Sequence, residues 1–532
     1  MIRTKSISLL VFSYILIFCS CQDGNQIPSL QISESQIQVN PFDLAPLTAL
    51  IECSTPEKTY FKVEVLGSGN EVSKVSYKAP IVGQQHRVPV VGLYNDFENK
   101  VQLSFFNEAD SLLYQNIVSI KTGDYGDDIE IVKENKDIGF LVASNYQFGD
   151  GDGPSSNYIF DNEGRIRSVI NFEKTLIKLK NGNYLSFKKE EIIEVTLIGQ
   201  VVRKYMLPSH LYAHHDILEL PNGNLLVAAG NKTFKVDTEF GELATGDDLI
   251  IELNRSTGEV INQIDLRNYL DVDRAIFECY KRKNFWDWAH VNGIVYSAVD
   301  QSIVLSVRNQ GLIKLSYPEG DLKWILAPHI GFENAGLNGD GELNPNDYLL
   351  TAVDRNDKPY PKEVQRALEI PDNLRGAFHW AFGQHTPQIV SYDGRVMRLL
   401  MYNNQASLIF DDENKVNHCM ARGNANEYPG YVENDQSNDQ SPKPYSLMQE
   451  IEIDEQKMTV KETWGYSNGL FGTNRCSSNY YPSKGFYSMY SKSKTNGKFS
   501  IVNRESDSVL FEAKYFDPHS YRMYHIDQLV RN

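Results

Sequence analysis

The 532-residue sequence lacks long runs of basic residues, and its 69 acidic side chains outnumber its 52 basic ones, for a net charge of −17. Proteins that bind nucleic acids or lie on anionic membranes present clusters of Lys and Arg. Long apolar runs are also missing, apart from one at the extreme N-terminus. The sequence therefore argues against a nucleic-acid-binding protein, a protein of the anionic membrane surface and a multispanning membrane protein.

Cysteines are few, and those beyond the N-terminal segment form no C-x-x-C pair: Cys53, Cys279, Cys419 and Cys476. Their spacing supports neither a zinc site nor a thioredoxin-like motif. Cys419 and Cys476 lie in polar stretches. The sequence is compatible with a disulfide bond between them and equally with buried free thiols. Walker loops, dinucleotide-binding fingerprints and H-E-x-x-H motifs are absent too, so we expect no cofactor.

The N-terminus has the pattern of an exported protein. Arg3 and Lys5 precede an apolar run over residues 7–18, which is short for a membrane span and typical of a secretory signal. The sequence FCSC that ends this segment resembles a bacterial lipoprotein box, with Phe in place of the usual Leu. The resemblance implies that Cys21 carries the lipid. A plain cleaved signal peptide is the alternative.

The residue after the predicted lipidation site is Gln22 and not Asp, which implies sorting to the outer membrane. We therefore expect a lipoprotein signal peptide over 1–20, a polar tether over 21–44 and a protein anchored to the outer membrane by lipid. The sequence leaves open which face of that membrane it occupies.

Short runs of alternating apolar and polar residues, separated by turn residues, fill the segment 45–124. They include 49–53, 60–65, 101–106 and 117–120. This alternation predicts a small N-terminal β-sandwich domain. The 30 tyrosines and 36 glycines of the chain, with few helical patterns, also favour β structure.

A different unit repeats from about residue 125. It has a turn, usually Asn-Gly or Asp-Gly, then an apolar strand, a second turn and two more strands. The turns begin at Asn181, Asn222, Asp300, Asp393 and Asn496, and an incomplete earlier copy covers 138–172. Six such units predict a six-bladed β-propeller over 125–532. The expected fold class is thus all-β, a propeller preceded by a small sandwich.

Three histidines share one position of this repeat. His214 and His385 lie 8 residues before their turns, and His290 lies 10 before its turn, while Ser488 holds the position in the last unit. The innermost strands of a propeller line its central channel. The repeat therefore predicts that these three imidazoles, with the adjacent His215, converge on one pocket. For any single histidine, a structural role in the core is the alternative.

Arg308 ends the second strand of the unit that contains His290, and Asn309 follows it. Imidazoles and a guanidinium in an otherwise acidic protein form a local anion site, which suits a tetrahedral oxyanion such as sulfate or phosphate. A three-histidine metal site is the alternative, and the fixed charge of Arg308 disfavours it.

A second candidate metal site lies in an acidic loop. Oxygen ligands alternate with glycine there, which suggests calcium: Asp340, Glu342 and Asn344. The loop lacks the terminal Glu of an EF-hand, and a solvated acidic loop is the alternative.

The motifs around these positions resemble the bacterial arylsulfate sulfotransferase family. They are HHDILELPNGN at 214–224, DWAHVN at 287–292, SIVLSVRNQ at 302–310, WIL at 324–326 and FGQHT at 382–386. The segments APLTAL at 45–50 and GLYNDFENKV at 92–101 resemble that family's sandwich domain. The match runs in the expected order over about 45–530. Gly293 departs from the Ser that is common there, and the family's Cys pair before the nucleophile is not evident.

The resemblance implies transfer of a sulfuryl group from an aryl sulfate donor to a phenolic acceptor, without a nucleotide sulfate. It implies that His385 is the nucleophile and that four groups position the sulfate: His214, His215, His290 and Arg308. We also expect substrate contacts from Asn292, Asn309 and Thr386. Trp286, Trp288 and Trp380 are candidates for stacking on the aryl group or for core packing. A non-catalytic propeller lipoprotein that binds an anionic ligand or a glycan is the rival hypothesis, and a homodimer is left open.

Overall fold

The computed structural model describes most of the chain from Ile27 to Val530. The described residues are 27–67, 74–134, 139–145, 156–172, 175–238, 241–246, 248–272, 274, 285–332, 343–367, 370–374, 376–381, 383–405, 446–472, 474–493, 495–517 and 519–530. Several predictions lie outside them: the signal peptide, Cys21, Cys279, Cys419, and Asp340 and Glu342 of the acidic loop. Asn344 is described, and its side chain accepts a hydrogen bond from the Asn346 N–H at the start of a short 3-10 helix.

The N-terminal domain is one five-stranded antiparallel sheet in the order β1-β2-β4-β5, with β3 paired to β2. Its strands are β1 (Ile37–Val39), β2 (Ala49–Leu66), β3 (Val75–Val90), β4 (Glu98–Phe106) and β5 (Leu112–Lys121). Register shifts near Thr59 interrupt the pairing of β2 with β3. Beyond these bulges β2 pairs with β4, and before them with β1. Bulges bend a strand, so the two halves of β2 can pair with different neighbouring strands.

Two predictions for this domain need correction. The runs 49–53 and 60–65 belong to one 18-residue strand and not to two. The predicted tether contacts the domain from Pro28 onward, since the Pro28 carbonyl accepts the Gln115 N–H, Leu30 exchanges two hydrogen bonds with the Asn116 amide, and β1 pairs with β2. Backbone pairing with β2 and the packing of Leu30, Ile32, Ile37 and Phe42 against the domain core hold this segment.

The described residues after the N-terminal domain form six larger sheets, antiparallel apart from one short strand, which we interpret as propeller blades. Blade 1 contains β10 (Ile177–Lys178), β11 (Tyr184–Lys188), β12 (Glu191–Val195) and β13 (Val201–Met206). Blade 2 contains β14 (Leu211–Glu219), β15 (Leu225–Asn231), β18 (Leu249–Leu253) and β19 (Val260–Asp265). Blade 3 contains β21 (Val291–Ser297), β22 (Ser302–Val307), β23 (Gly311–Ser316) and β24 (Leu322–Leu326).

Blade 4 contains β26 (His385–Tyr392), β27 (Val396–Asn403), β28 (Leu447–Asp454), β29 (Thr459–Tyr466) and the short β25 (Thr351–Ala352), which is parallel to β29. Blade 5 contains β30 (Ser477–Tyr481), β31 (Phe486–Lys492), β32 (Gly497–Asn503), β33 (Ser508–Lys514) and β6 (Glu130–Glu134). Blade 6 contains β34 (Ser520–Ile526), β7 (Phe140–Asn145), β8 (Ser156–Asp161) and β9 (Ile166–Asn171).

The remaining elements are short. A three-stranded sheet joins β16 (Lys235–Thr238), β17 (Gly241–Thr245) and β20 (Phe285–Trp286). In the part of the chain that the structure describes, one α-helix, α1, covers Lys362–Arg366, and 3-10 helices cover Glu34–Gln36, Leu266–Asn268, Pro345–Tyr348 and Asp372–Leu374. Within the described ranges, none of the helices has the length and apolar character needed to span a bilayer. The all-β prediction is confirmed.

Strands from the beginning and the end of the region after the N-terminal domain pair in the same sheets. The C-terminal β34 is the first strand of blade 6 and pairs with β7, and β6 adds to the outer edge of blade 5. The first strands of the blades face a common channel, which contains a cavity of about 280 Å³. Residues from five blades line it, among them Thr175, Asp216, Thr386, Ser478 and Arg522. The starts of the first strands are therefore the positions that converge.

Candidate active site

The four predicted histidines lie together at the starts of three neighbouring first strands. His214 and His215 are on β14, His290 directly precedes β21, and His385 begins β26. The ring centroids of His215 and His290 are 4.5 Å apart, and those of His214 and His215 are 5.2 Å apart. The ring of Tyr521, on β34, lies 5.8 Å from His215 and 6.2 Å from His385. The structure thus brings the imidazoles into one cluster, here called the imidazole cluster.

An irregularity recurs at the same point of each histidine-bearing strand. The pairing register shifts between Ala213 and Ile217 in β14, between Val291 and Gly293 in β21, and between His385 and Gln388 in β26. Non-glycine residues there have left-handed backbone conformations, with φ of 47° at His215, 62° at His290 and 48° at Thr386. Each such residue costs on the order of 1–3 kcal/mol, and bulges of this kind re-aim side chains at functional sites.

His385 is buried, and a hydrogen bond fixes its tautomer. Its Nδ1 lies 2.8 Å from Oδ1 of Asn404. The Asn404 amide nitrogen donates to the Gly472 carbonyl at 2.6 Å, which orients the amide so that its oxygen faces His385. Nδ1 of His385 therefore carries the proton and donates it to this oxygen. The lone pair of the ring is left on Nε2, the nitrogen that can act as a nucleophile.

His385 stays neutral near pH 7. Burial, followed by the charges of Arg308 and Arg522, holds the pKa of His385 well below its ordinary value, although the Asn404 hydrogen bond opposes this shift. Burial and the neighbouring imidazoles lower the pKa of His215 in the same way. A neutral imidazole keeps its lone pair available for reaction.

His290 is paired with a carboxylate. Its Nδ1 lies 2.9 Å from Oδ2 of Asp287, within the loop that precedes β21. Burial acts to raise the pKa of Asp287, but the charge of His290, the hydrogen bond between them and the charge of Arg308 bring that pKa below its ordinary value. The carboxylate orients the ring and stabilises its protonated form, an arrangement that suits a proton donor and acceptor.

Arg308 directly follows β22 and is buried, with 7 % of its surface exposed. Its backbone N–H donates to the His290 carbonyl at 3.0 Å. Its charge lowers the pKa values of both Asp287 and His385. The guanidinium is thus a permanent positive charge beside the imidazole cluster.

The side chains predicted to contact substrate hold the site's backbone. Asn309 donates from Nδ2 to the Asp287 carbonyl at 2.6 Å, and Asn292 donates to the Gln384 carbonyl at 2.8 Å. The Thr386 hydroxyl accepts the Ser478 N–H at 2.9 Å and lines the channel cavity. The buried Oδ1 atoms of Asn292 and Asn309 lack a hydrogen-bond partner among the described residues.

The three tryptophans pack in the core. They are at most 2 % exposed. Each indole N–H has an internal acceptor: the Val272 carbonyl for Trp286, Asp248 for Trp288 and the Val364 carbonyl for Trp380. Core packing was the correct alternative, because no face of these rings is left for an aryl group.

Cys53 and Cys476 are buried free thiols.

Sequence reasoning missed Asn404, Tyr521 and Arg522. Asn404 directly follows β27 in blade 4, as Arg308 follows β22 in blade 3. The repeat position that drew attention to Arg308 was therefore a usable signal for Asn404. Tyr521 and Arg522 lie on the strand that the chain supplies from its other end, so no continuous repeat aligned them with the histidines.

Comparison with known families decides the identity of the fold. The model described as Arylsulfotransferase (ASST) matches residues 114–524, and the model described as Arylsulfotransferase Ig-like domain matches residues 36–123. The chain belongs to the arylsulfotransferase family. Both the resemblance seen in the motifs and the separate N-terminal domain are thereby confirmed.

Two curated relatives of this arylsulfotransferase carry the name arylsulfate sulfotransferase AssT. The protein of Escherichia coli O6:H1 is 26% identical over 521 residues, covering 80% of this chain and 79% of its own length. The protein of Lelliottia amnigena is 26% identical over 443 residues, covering 66% of this chain and 71% of its own length. A periplasmic gluconolactonase of Pseudomonas aeruginosa aligns with 88% of the chain at 11% identity and a TM-score of 0.34, which supports no conclusion.

The arylsulfotransferase site contains the groups that nucleophilic transfer of an anionic group requires. A neutral imidazole presents a lone pair, a guanidinium supplies fixed positive charge, and a carboxylate-paired imidazole can move a proton. Among the described residues no group of three or more His, Cys, Asp or Glu side chains is arranged to hold a metal ion.

Proposed function

We propose that this enzyme moves a sulfuryl group from an aryl sulfate to a phenol through a covalent intermediate on Nε2 of His385, without a nucleotide sulfate. The observation that carries the proposal is the His385–Asn404 hydrogen bond, which leaves a lone pair on Nε2 of a buried neutral ring. Family membership supports the class of reaction and the substrates. The sequence has no Gly-rich phosphate loop for a nucleotide.

In the first half-reaction the Nε2 lone pair attacks sulfur. The nitrogen–sulfur bond forms as the bond from sulfur to the aryl oxygen breaks, opposite the attacking atom. The leaving oxygen takes a proton from protonated His290, which Asp287 stabilises at 2.9 Å. Charge on the three peripheral oxygens is offset by Arg308, much as in phosphoryl transfer.

The second half-reaction reverses these roles. A phenol enters where the first product left, and neutral His290 accepts its proton as its oxygen attacks sulfur. The nitrogen–sulfur bond breaks, and His385 regains its lone pair. Asn404 serves both halves, since the ring keeps its Nδ1 proton throughout. The scheme predicts ping-pong kinetics.

We assign His214 and His215 to the side of the sulfuryl group. Their Nδ1 atoms are 3.0 Å apart, so one ring donates to the other. This bond fixes the two rings against each other and directs their Nε2 atoms elsewhere. His215 is the member that lies against His290, which favours it for contact with the substrate.

The test uses 4-nitrophenyl sulfate with and without phenol. With phenol, nitrophenolate should form continuously. Without it, the enzyme should release about one equivalent in a burst and gain the mass of one sulfuryl group, which acid should remove from a histidine. His385→Asn should show neither burst nor adduct. An adduct that persists in this variant would overturn the assignment, and donor binding without any release would favour the non-catalytic alternative.

A further inference from the structure

An ion pair that lines the channel cavity lies beside the imidazole cluster. Nη1 of Arg522, on β34, donates to Oδ1 of Asp216, on β14, at 2.8 Å. Nη2 of the same arginine donates to the main-chain carbonyl of Asn292, on β21, at 2.6 Å. The two side chains are 13 % and 14 % exposed. One guanidinium therefore joins blade 6 to blades 2 and 3, and both of those blades carry histidines of the site.

The contacts fall at the bulges. Asp216 lies within the register shift of β14, and Asn292 lies within that of β21. The other oxygen of Asp216 accepts the Ile294 N–H at 2.9 Å. Where a ladder is interrupted, backbone groups need other partners. The ion pair supplies them at two of the three points where the site departs from regular strand geometry.

The residue next to Arg522 touches the cluster itself. The Tyr521 ring lies between His215 and His385, and the Arg522 guanidinium lies 4.9 Å from the centre of that ring. A displacement of Arg522 would therefore move Tyr521 and, with it, the surface against which the two imidazoles pack.

We propose that Arg522 and Asp216 are positioning residues of the imidazole cluster: they hold the bulged strands that carry the histidines and place a compensated charge beside the rings. The proposal deepens the proposed function and rests on it only where turnover is the readout. Neither residue is assigned a contact with the substrate.

Several charged groups face the two rings that Arg522 influences. Arg308 and His290 face His385, and the other three histidines of the cluster face His215. Asp287 faces His290. The charge of Arg522 lowers the pKa of His215 and of His385, and Asp216 partly offsets that charge. Loss of Arg522 should therefore raise the pKa of the two histidines, and loss of the Asp216 charge should lower it.

Three variants separate position from charge. Arg522→Gln removes both contacts and the charge, so His385 should bind a proton more readily and the acidic limb of kcat/KM should move to higher pH. Asp216→Asn leaves the guanidinium uncompensated and should move that limb to lower pH. Arg522→Lys keeps the charge, loses the forked contact, and should lower kcat with little movement of the limb. We expect kcat losses of about 10- to 100-fold in all three.

A matched control lies in the same blade. Arg167 and Asp161 form a fully buried ion pair, 3.1 Å apart, on β9 and β8, and Arg167 also donates to the Gly92 carbonyl. Arg167→Gln should lower the unfolding temperature but leave the pH profile unchanged. Should Arg522→Gln fail to fold, Arg522→Lys and Asp216→Asn still carry the test.

A second readout does not need turnover. With histidine labelled at 13Cε1, NMR titration gives the pKa of His385, whose signal is the one missing from His385→Asn. Opposite shifts in Arg522→Gln and Asp216→Asn would support the inference even if the wild type transferred no sulfuryl group. Equal shifts, no shifts in folded variants, or a comparable shift in Arg167→Gln would overturn it.

Discussion

Nδ1 of His385 and Oδ1 of Asn404 are 2.8 Å apart, and the amide that supplies this oxygen is itself fixed by the Gly472 carbonyl. The contact determines which nitrogen of the ring holds the proton. It joins the first residue of β26 to the residue that directly follows β27, so the hairpin that builds the strand also sets the tautomer.

Replacing Asn404 with Ala should lower kcat by about 10- to 100-fold, as is typical when the partner of a functional histidine is removed. The ring then loses the acceptor that holds its proton on Nδ1. The burst of phenol from an aryl sulfate measures the effect on the first half-reaction. Asn404→Asp is the informative companion, because a carboxylate at this point should raise the pKa of His385 and move the acidic limb to higher pH. Burst kinetics equal to wild type in Asn404→Ala would contradict the tautomer assignment.

The wild-type enzyme should keep its kcat/KM as pH falls through 6.5, the ordinary pKa of histidine. Burial and the charge of Arg308 hold the pKa of His385 well below that value, so the proposed nucleophile loses its lone pair only at lower pH. Aryl sulfates stay ionised over this range, so the donor contributes no limb of its own. An acidic limb centred at or above 6.5 would show that a different group, or a different state of His385, controls the reaction.

Arg308→Lys keeps a positive charge but loses the planar fork that can grip two oxygens. We expect kcat/KM to fall by about 100-fold, the scale seen when a donor to developing negative charge is lost. The unfolding temperature should change little. Arg398→Lys is the matched control, because Arg398 pairs with Glu450 between other strands of the propeller. Near-normal turnover in Arg308→Lys would remove this residue from the site.

Local pattern predicted the histidines well because the blade repeat converts sequence spacing into position. The alignment of the repeats was wrong in blade 5, where the Asn-Gly turn does not join the first two strands of the blade. Asn496-Gly497 joins the second and third strands of blade 5, so Ser488 lies on β31 and not on the first strand. The position equivalent to the histidines is near Cys476, which directly precedes β30.

The sequence pattern could not predict the β-bulges or the hydrogen-bond partners of the site's side chains. Nothing in the composition of β14 marks the register shift at His215, since it arises from how three blades meet. Asn292 and Asn309 were expected at the substrate because they stand beside functional residues. In the structure their Nδ2 groups donate to the main-chain carbonyls of Gln384 and Asp287, contacts that depend on neighbours distant in sequence, and contact with the substrate stays a prediction.

Anchoring by lipid is a prediction from the sequence alone. If Cys21 carries the lipid, Cys21→Ser should move the protein from the membrane fraction to the soluble fraction of cells. Cys19→Ser is the matched control and should stay with membranes. Sedimentation of Cys21→Ser with membranes would point to a different anchor.

Asp248, which directly precedes β18, is a buried carboxylate whose burial lowers the free energy of unfolding at neutral pH. It accepts hydrogen bonds from the Thr245 hydroxyl and the Trp288 indole, and its Oδ1 has no partner among the described residues. Burial, then the charge of Asp265, raises the pKa of Asp248 from 3.8 to about 6. A raised pKa means that the folded state binds a proton that the unfolded state has already lost. The free energy of unfolding should therefore fall as pH rises from about 4 to about 6, and then stay level.

The difference between wild type and Asp248→Asn isolates this effect, because other titrating groups cancel. A shift of about two units corresponds to about 3 kcal/mol. The free energy of unfolding of Asp248→Asn, relative to that of the wild type, should therefore increase by about 3 kcal/mol between pH 4 and pH 7, whatever the difference at pH 4. Chemical denaturation at several pH values measures it. A difference that does not vary with pH would mean that Asp248 is ionised in the folded protein at no cost, with its unpartnered oxygen solvated.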